Sequence, residues 1–490
     1  MIGLARWHTF DEPLETDITL VAVVGRELLA GRALYADVWD HKPPALYLTH
    51  AAAIALVGFG PGAVYLLNVA AAVITLGGVY AAAGGGGPVV GLWAAAFWTV
   101  ISGDLWLQAN QPNTEALINA CVVWAFALLA TADARSGIPR FVGVGALWAW
   151  ASLFKPTVAA PAALLALAWV VAPPSGRPRR RALGDMAVVA AVGALAWAAV
   201  ATWFAAAGRF DALYDAVFTF NRWYTGDALA NLVGSLSRRR LLNDILRSAL
   251  PLAILSALGL GIGLAAGPRR RWLLLVAWAA GTQVAIGVNQ SSIPHYYQLW
   301  LPVLTVGGAW AVEHVEWLAR GRAPRLPTLT AAAALVVLLV FEVPLYALAP
   351  DDWSRIKYGP IFVGERAMAR EVSGLLEPGE TFFVWGSEVG LYFLTGVRPV
   401  CGPCSAWPLN TGPLLLGLTS RLLVDLERGR PELVVVAKWT WLRFSLRHPV
   451  YAWLAANYRP MPGGHDRGPY FQVYVRRGGA LEQRLTRVVR

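Results

Sequence analysis

The sequence predicts a mainly α membrane protein, a polytopic bundle of apolar helices that ends in a small extracytoplasmic α/β domain. Three observations carry that expectation. Of 490 residues, 57% are hydrophobic and only 14% charged, with a mean hydropathy of +0.50; a soluble chain carries about 25% charged residues. Apolar runs near the length that crosses a bilayer recur through residue 348. After residue 350, short β-like runs alternate with helix-like ones.

The charge pattern excludes some partners. Lys and Arg number 41 against 30 Asp and Glu, a net charge of +11. The Arg residues sit in short clusters between apolar runs, as cytoplasmic membrane loops require. A nucleic-acid surface would spread them over a polar domain instead, so no nucleic-acid partner is expected. Only Lys42, Lys155, Lys357 and Lys438 depart from Arg. Three Cys exclude a disulfide-rich scaffold. Met1 to Asp17 is polar and contains no signal-peptide core.

Ten runs mark the bundle, about 63–83, 88–102, 114–131, 141–154, 157–172, 186–206, 249–266, 272–288, 297–318 and 327–348. Residues 45–57 are also apolar but cover only about 20 Å as a helix, against a ~30 Å hydrocarbon core. They read as an interfacial helix. Three regions emerge: a first extracytoplasmic loop with interfacial helices over 1–62, a transmembrane bundle of about ten helices over 63–349, and a soluble extracytoplasmic α/β domain over 350–490.

The basic loops set the orientation. Loops 84–87, 132–140, 173–185, 267–271 and 319–326 hold 12 Arg in 39 residues, among them Arg177, Arg180, Arg320 and Arg322. The loops on the other side hold roughly 7 basic residues in about 61, including Arg238, Arg239 and Arg240. The richer set belongs in the cytoplasm. Both ends of the bundle then lie outside. An outer N-terminus places a further transmembrane helix upstream of Met1; the alternative folds the first 60 residues back onto the membrane without one.

In the C-terminal region TFFVWG (381–386), ELVVVAK (432–438) and YFQVYVR (470–476) read as strands. Stretches 361–376, 412–428 and 449–457 read as helices between them, which predicts a mostly parallel sheet. No Gly-rich dinucleotide fingerprint follows a strand, so no cofactor is assigned. Cys401-Gly-Pro-Cys404 has redox-motif spacing, but TGVRPVCGPCSAWPLN offers neither the core strand nor the helix that motif needs. A local disulfide or an idle pair remains.

Polar residues gather at the outer ends: Asp17, Asp37, Asp40-His41-Lys42-Pro43-Pro44, the stretch QANQPNTE with Asn113 and Glu115, Lys155-Pro156-Thr157, Asn221-Arg222-Trp223-Tyr224, and Pro294-His295-Tyr296-Tyr297. Ionisable residues at a bilayer edge are functional candidates. Lys42 and Lys155 each stand before a proline-started helix, where free N–H groups attract anions. An ammonium there is a candidate phosphate site, with snorkelling or capping as the bland alternative. Asp17 is a candidate base for a hydroxyl acceptor. Asp11, Glu12 and Glu15 compete with it on spacing alone. Asn113 and Glu115 fit either a cavity or a helix start. His295 fits a phosphate contact or packing beneath Tyr296.

The stretch LETDITLVAVVGRELLAGRALYADVWDHKPPALY (14–47) resembles the first extracytoplasmic loop of GT-C glycosyltransferases of the family 39 type, which includes protein O-mannosyltransferases and lipid A aminoarabinose transferases. QPNTEA, FKPT, PHYYQLWLP and the tail VWGSEVGLYFLTGVRP are further similarities. The resemblance implies a GT-C bundle that moves a sugar from a polyprenyl-phosphate donor to a hydroxyl acceptor, lipid or glycan, at the outer face of a bacterial-type inner membrane, with inversion. It implies Asp17 as the base, and Lys42, with Lys155 and His295, as contacts to the donor phosphate. Asp40, His41, Asn113, Glu115, Arg222 and Tyr296 would face the same cavity. No metal site is assigned, and no spacing supports a divalent metal. Membrane lipids are the remaining partner. The chain departs from the family in having Ile18 where an Asp-Glu pair is usual, and in lacking a transmembrane helix before the loop. Two other readings stand: a non-catalytic or decayed membrane partner, and a lipid or solute transporter, which would concentrate ionisable groups near the midplane.

Overall fold

A computed structural model describes residues 1–237, 239–266, 269–290, 293–319, 323–462 and 464–488. Arg238, Arg320 and Arg322 of the charge count lie outside the described residues. The protein is 71% helical and divides into two compact units.

The first unit comprises 1–10, 65–206 and 225–349. Each of the ten apolar runs is a helix: Pro61–Ala83, Pro88–Ile101, Thr114–Ala130, Ile138–Ser152, Ala159–Val171, Arg179–Ala206, Arg239–Ala266, Arg269–Gly287, Trp300–Ala319 and Leu326–Glu342. Proline opens several of them, where its missing N–H costs nothing. Among the described residues, four segments are long and apolar enough to cross a membrane, Pro61–Gly86, Arg179–Ala206, Arg247–Ala265 and Leu326–Ala347. The others are shorter or more polar; Pro88–Ile101 covers about 21 Å. The helices pack through aromatic and small residues. Phe126 stacks on Trp278 at 4.4 Å. Gly281 lets its helix touch Pro161, since a Cβ there would lie 2.2 Å from the Pro161 backbone. Arg177 is not a bare loop charge: its Nε donates to Asp185 at 2.6 Å, and both residues are buried.

The second unit comprises 11–64, 207–224 and 350–490. Its helices Thr16–Leu29 and Pro44–Val57 pack together where Gly25 meets His50 and Ala51. Its strands are β1 (Phe382–Trp385), β2 (Leu433–Ala437), β3 (Tyr458–Pro460), β4 (Asp466–Arg467) and β5 (Phe471–Arg476). The order is β1-β2-β5-β3, with β4 paired to β5. The three strands and three helices expected from sequence lie within a residue or three of their places. The mostly parallel sheet is corrected. Only β1 and β2 pair parallel; β5 runs antiparallel to β2, β3 and β4. The chain crosses from β2 through the helix Pro449–Asn457 to β3, then turns back and inserts β5 between them.

Candidate functional site

In the second unit the loop before Pro44 presents Asp40, His41 and Lys42, and each of the three is clamped. Tyr35 takes a left-handed φ of 65°, rare for a residue with a side chain, and its hydroxyl donates to the Lys42 carbonyl at 2.7 Å. Asp37 accepts the Ala33 N–H at 2.7 Å and closes that turn. Tyr47 donates to Asp40 Oδ2 at 2.8 Å and accepts the Lys42 N–H at 3.2 Å. Asn221 Nδ2 donates to the His41 carbonyl at 2.7 Å. The Trp39 N–H reaches the Gly402 carbonyl at 3.1 Å. The Leu-Tyr-x-Asp pattern of the sequence is therefore the brace that sets Lys42.

Lys42 Nζ lies 3.2 Å from Asp17 Oδ1, in the first turn of Thr16–Leu29. Burial works against the ammonium, but attraction to Asp17 and then Asp40 outweighs it and holds Lys42 above the usual lysine range. Asp40 pairs with His41 Nδ1 at 2.9 Å. Burial opposes its charge too; His41, Lys42 and the Tyr47 hydroxyl win and hold the carboxyl well below the usual range. Asp17 keeps 41% of its side chain exposed against 16% for Lys42, so the carboxylate is reachable and the cation sheltered. Arg222 is exposed on the short helix Phe220–Thr225.

The rest of this unit fixes the helix that carries Asp17. Thr16 Oγ1 donates to the Ser387 carbonyl at 2.9 Å, after β1. At the other end the buried Glu27 pairs with Arg398 at 2.6 Å, and with Arg26 and Arg32. Glu12 pairs with Lys357 at 2.5 Å, and both side chains are buried, unlike that of Asp17. Cys401 and Cys404 are free and buried; burial pushes the Cys404 thiol up to about 12. Burial thus works against the thiolate form that thiol–disulfide chemistry uses.

The first unit assembles its own polar cluster. Lys155 Nζ pairs with the buried Glu115 at 2.9 Å and sits 3.4 Å from the Tyr296 ring centroid. His295 donates from Nδ1 to Gln108 Oε1 at 2.9 Å and meets the Tyr296 ring edge-on at 5.0 Å. Gln298 binds the Leu107 and Gln108 carbonyls, and Asn119 binds the Gln298 carbonyl. Asn113 stands at the start of Thr114–Ala130 but caps nothing with its side chain, which donates to Gln108 instead. The polar segments 108–115, 155 and 294–298 are thus one network. Tyr35, Tyr47 and Arg398 are partners that sequence reasoning missed, whereas Asn221 and Gln108 were among the polar candidates at the outer ends. Tyr35, Tyr47 and Arg398 all lie inside the family-like stretches, but nothing local separates them from their neighbours there.

No family model matches the chain, and no curated protein matches it in sequence. Solved structures do match in fold. The ArnT structure from Cupriavidus metallidurans bound to undecaprenyl phosphate aligns with a TM-score of 0.65 at 15% identity, covering 96% of each chain. The oligosaccharyltransferase AglB from Archaeoglobus fulgidus, in complex with an inhibitory peptide and a dolichol-phosphate, aligns with a TM-score of 0.52 at 14% identity, covering 96% of this chain and 73% of the other. ArnT, a lipid A aminoarabinose transferase, and AglB are both GT-C membrane glycosyltransferases, and the fold they share is the fold of this chain.

Proposed function

We propose that the protein is a membrane glycosyltransferase that moves a sugar from a polyprenyl-phosphate donor to a hydroxyl acceptor, with inversion, at the outer face of the membrane. The observation that carries this reading is the Asp17–Lys42 pair, a reachable carboxylate against a sheltered cation on a braced loop of a GT-C fold. The donor phosphate takes Lys42 as its partner. That exchange releases Asp17 from the ion pair at the moment a base is needed. Asp17 then accepts the proton of the acceptor hydroxyl, whose oxygen attacks the anomeric carbon opposite the phosphate. Lys42 stabilises the negative charge that grows on the departing phosphate. The test uses the full chain in nanodiscs with a panel of undecaprenyl-phosphate sugars and a bacterial lipid and glycan extract that supplies acceptor hydroxyls. Release of undecaprenyl phosphate from one of them, abolished in Asp17→Asn, supports the reading; no release from any, with the protein folded, overturns it.

A further inference from the structure

Beside the braced loop lies an aromatic surface for which the transfer step gives no use. Trp407 opens a short turn, Trp407–Leu409, hung from the end of β1 by the Ala406 N–H to Gly386 carbonyl bond of 2.8 Å. Its ring meets His41 at 5.6 Å, Phe220 at 5.5 Å and Tyr224 at 5.2 Å. His41 also meets Phe220 at 5.4 Å and Tyr224 at 6.1 Å. Trp223 packs on Phe220 at 5.4 Å and lies over Gly412, whose φ of 120° favours glycine and where an added Cβ would come within 3.2 Å of the ring. Phe220 is fully buried and forms the floor, whereas Trp407 and Trp223 are each 39% exposed.

The segment that brings these rings in is irregular. Residues Asp215–Thr219 form a π-turn, which inserts one residue and rotates the helical turn after it. Phe210, Tyr214 and Phe218 stack on one exposed face before and within it, at 6.2 and 5.6 Å. Phe220 and Tyr224 turn instead toward His41 and Trp407. Asn221 satisfies a carbonyl in the π-turn, Val217 at 2.9 Å, with the same amide that holds the His41 carbonyl.

The polar edges of this surface are open. Asp40 takes His41 Nδ1, which leaves Nε2 outward. Among the described residues, His41 Nε2, the Trp407 indole N–H and the Tyr224 hydroxyl have no protein hydrogen-bond partner. An acyl chain laid here would strip water from three polar groups and pair none of them. A pyranose fits both features: its C–H face meets the electron-rich rings, and its hydroxyls meet the three tips. We propose that Trp407, Tyr224 and His41 form the acceptor subsite and that the acceptor presents a saccharide to it. The proposal rests on the glycosyl-transfer reading, because His41 immediately precedes the Lys42 that pairs with Asp17.

Saturation-transfer difference NMR tests it on the full chain in nanodiscs, without donor. The probes are methyl α-D-mannopyranoside, methyl β-D-galactopyranoside and methyl N-acetyl-β-D-glucosaminide. Saturation is expected to reach the ring C–H protons of at least one, to fall about fivefold in Trp407→Ala, and to persist in Trp407→Phe, which keeps a stacking face. Tyr224→Ala carries the same expectation if Trp407→Ala fails to fold. No saturation of any probe, or equal saturation in native and Trp407→Ala protein, overturns the proposal. So does a spin label at Trp407→Cys that meets oxygen far more than a water-soluble nickel chelate, since the ring then sits in lipid. Glycoside binding needs no turnover, so failure here leaves the transfer reading standing. Failure of donor turnover, in its turn, leaves the glycoside signal untouched.

Discussion

Asp17→Asn separates the two roles that the Asp17–Lys42 pair combines. The amide keeps size and hydrogen bonding but accepts no proton, so transfer should fall by about 10²–10⁴-fold, the usual share of a general base. Donor binding should move the other way. In the donor-free protein the carboxylate competes for Lys42 at 3.2 Å. With 41% of the Asp17 side chain exposed, water screens that pair, and such a pair is worth about 0–1 kcal/mol. Removing the competitor should therefore tighten phosphate binding by up to about fivefold. The assays are undecaprenyl phosphate affinity by intrinsic tryptophan fluorescence in nanodiscs, and sugar transfer from the matching donor. Near-native transfer would refute Asp17 as base. Clearly weaker donor binding would refute the partner exchange and return Asp17 to a structural role. Glu12→Gln is the contrast: it removes the buried carboxylate charge that Lys357 Nζ meets at 2.5 Å, so it should lower the unfolding midpoint rather than transfer per folded molecule.

Other perturbations have equally defined outcomes. Lys42→Ala should weaken donor binding about 10- to 100-fold, the worth of a sheltered charge-assisted contact, and Lys42→Arg should not restore it, because a planar fork does not replace a point charge. Asp185→Ala strands the buried Arg177 and should cost about 3–5 kcal/mol in an unfolding measurement. Burial pushes Glu388, against the weaker pull of the Trp439 indole, up to about 7 from 4.5. A raised carboxyl stabilises below its unfolded value and loses that contribution as pH rises through 7, here about 3 kcal/mol. The heat-unfolding midpoint should fall between pH 5 and 8, and Glu388→Gln should flatten the profile. For orientation, a membrane-impermeant maleimide on intact cells should label Ser373→Cys and spare Arg180→Cys; the reverse pattern would place the C-terminal region inside.

Much of the fold was legible because apolar periodicity and length are local. Each of the ten runs is a helix, and prolines mark their starts as expected. What the sequence hid is what depends on distant partners. The direction of β5 is not written in YFQVYVR; it comes from the chain turning back after β3 to lie between β2 and β3. Nor is the grouping of residues 11–64 with the C-terminal domain visible in either segment, because the contacts that make it, such as Thr16 to Ser387 and Glu27 to Arg398, join positions about 371 residues apart.

The candidate site shows the same division at finer scale. Residue type and proline context pointed to Asp17, Lys42 and Lys155, since a scarce ammonium before a helix start is a local signal. Spacing alone could not rank Asp17 above Glu12. The two differ in packing: Lys357 occupies Glu12 in a buried pair, whereas Asp17 stays reachable and shares Lys42. Leu34-Tyr35-Ala36-Asp37 lies inside the stretch that carries the resemblance, which gives no reason for its residues. The reason is mechanical. Tyr35 holds the Lys42 carbonyl, Asp37 closes the turn, and Tyr47 with Asn221 hold the two residues before Lys42. A lysine on a free loop would lose side-chain and backbone freedom on meeting a phosphate. Here four side chains fix the backbone beforehand, so more of the contact energy remains for the growing phosphate charge. Tyr47→Phe tests that argument, because it removes the hydroxyl that holds Asp40 Oδ2 and the Lys42 N–H while keeping the Lys42 and Asp17 side chains. It should slow transfer while leaving Lys42 paired, and unchanged transfer would show that the brace contributes nothing to the reaction.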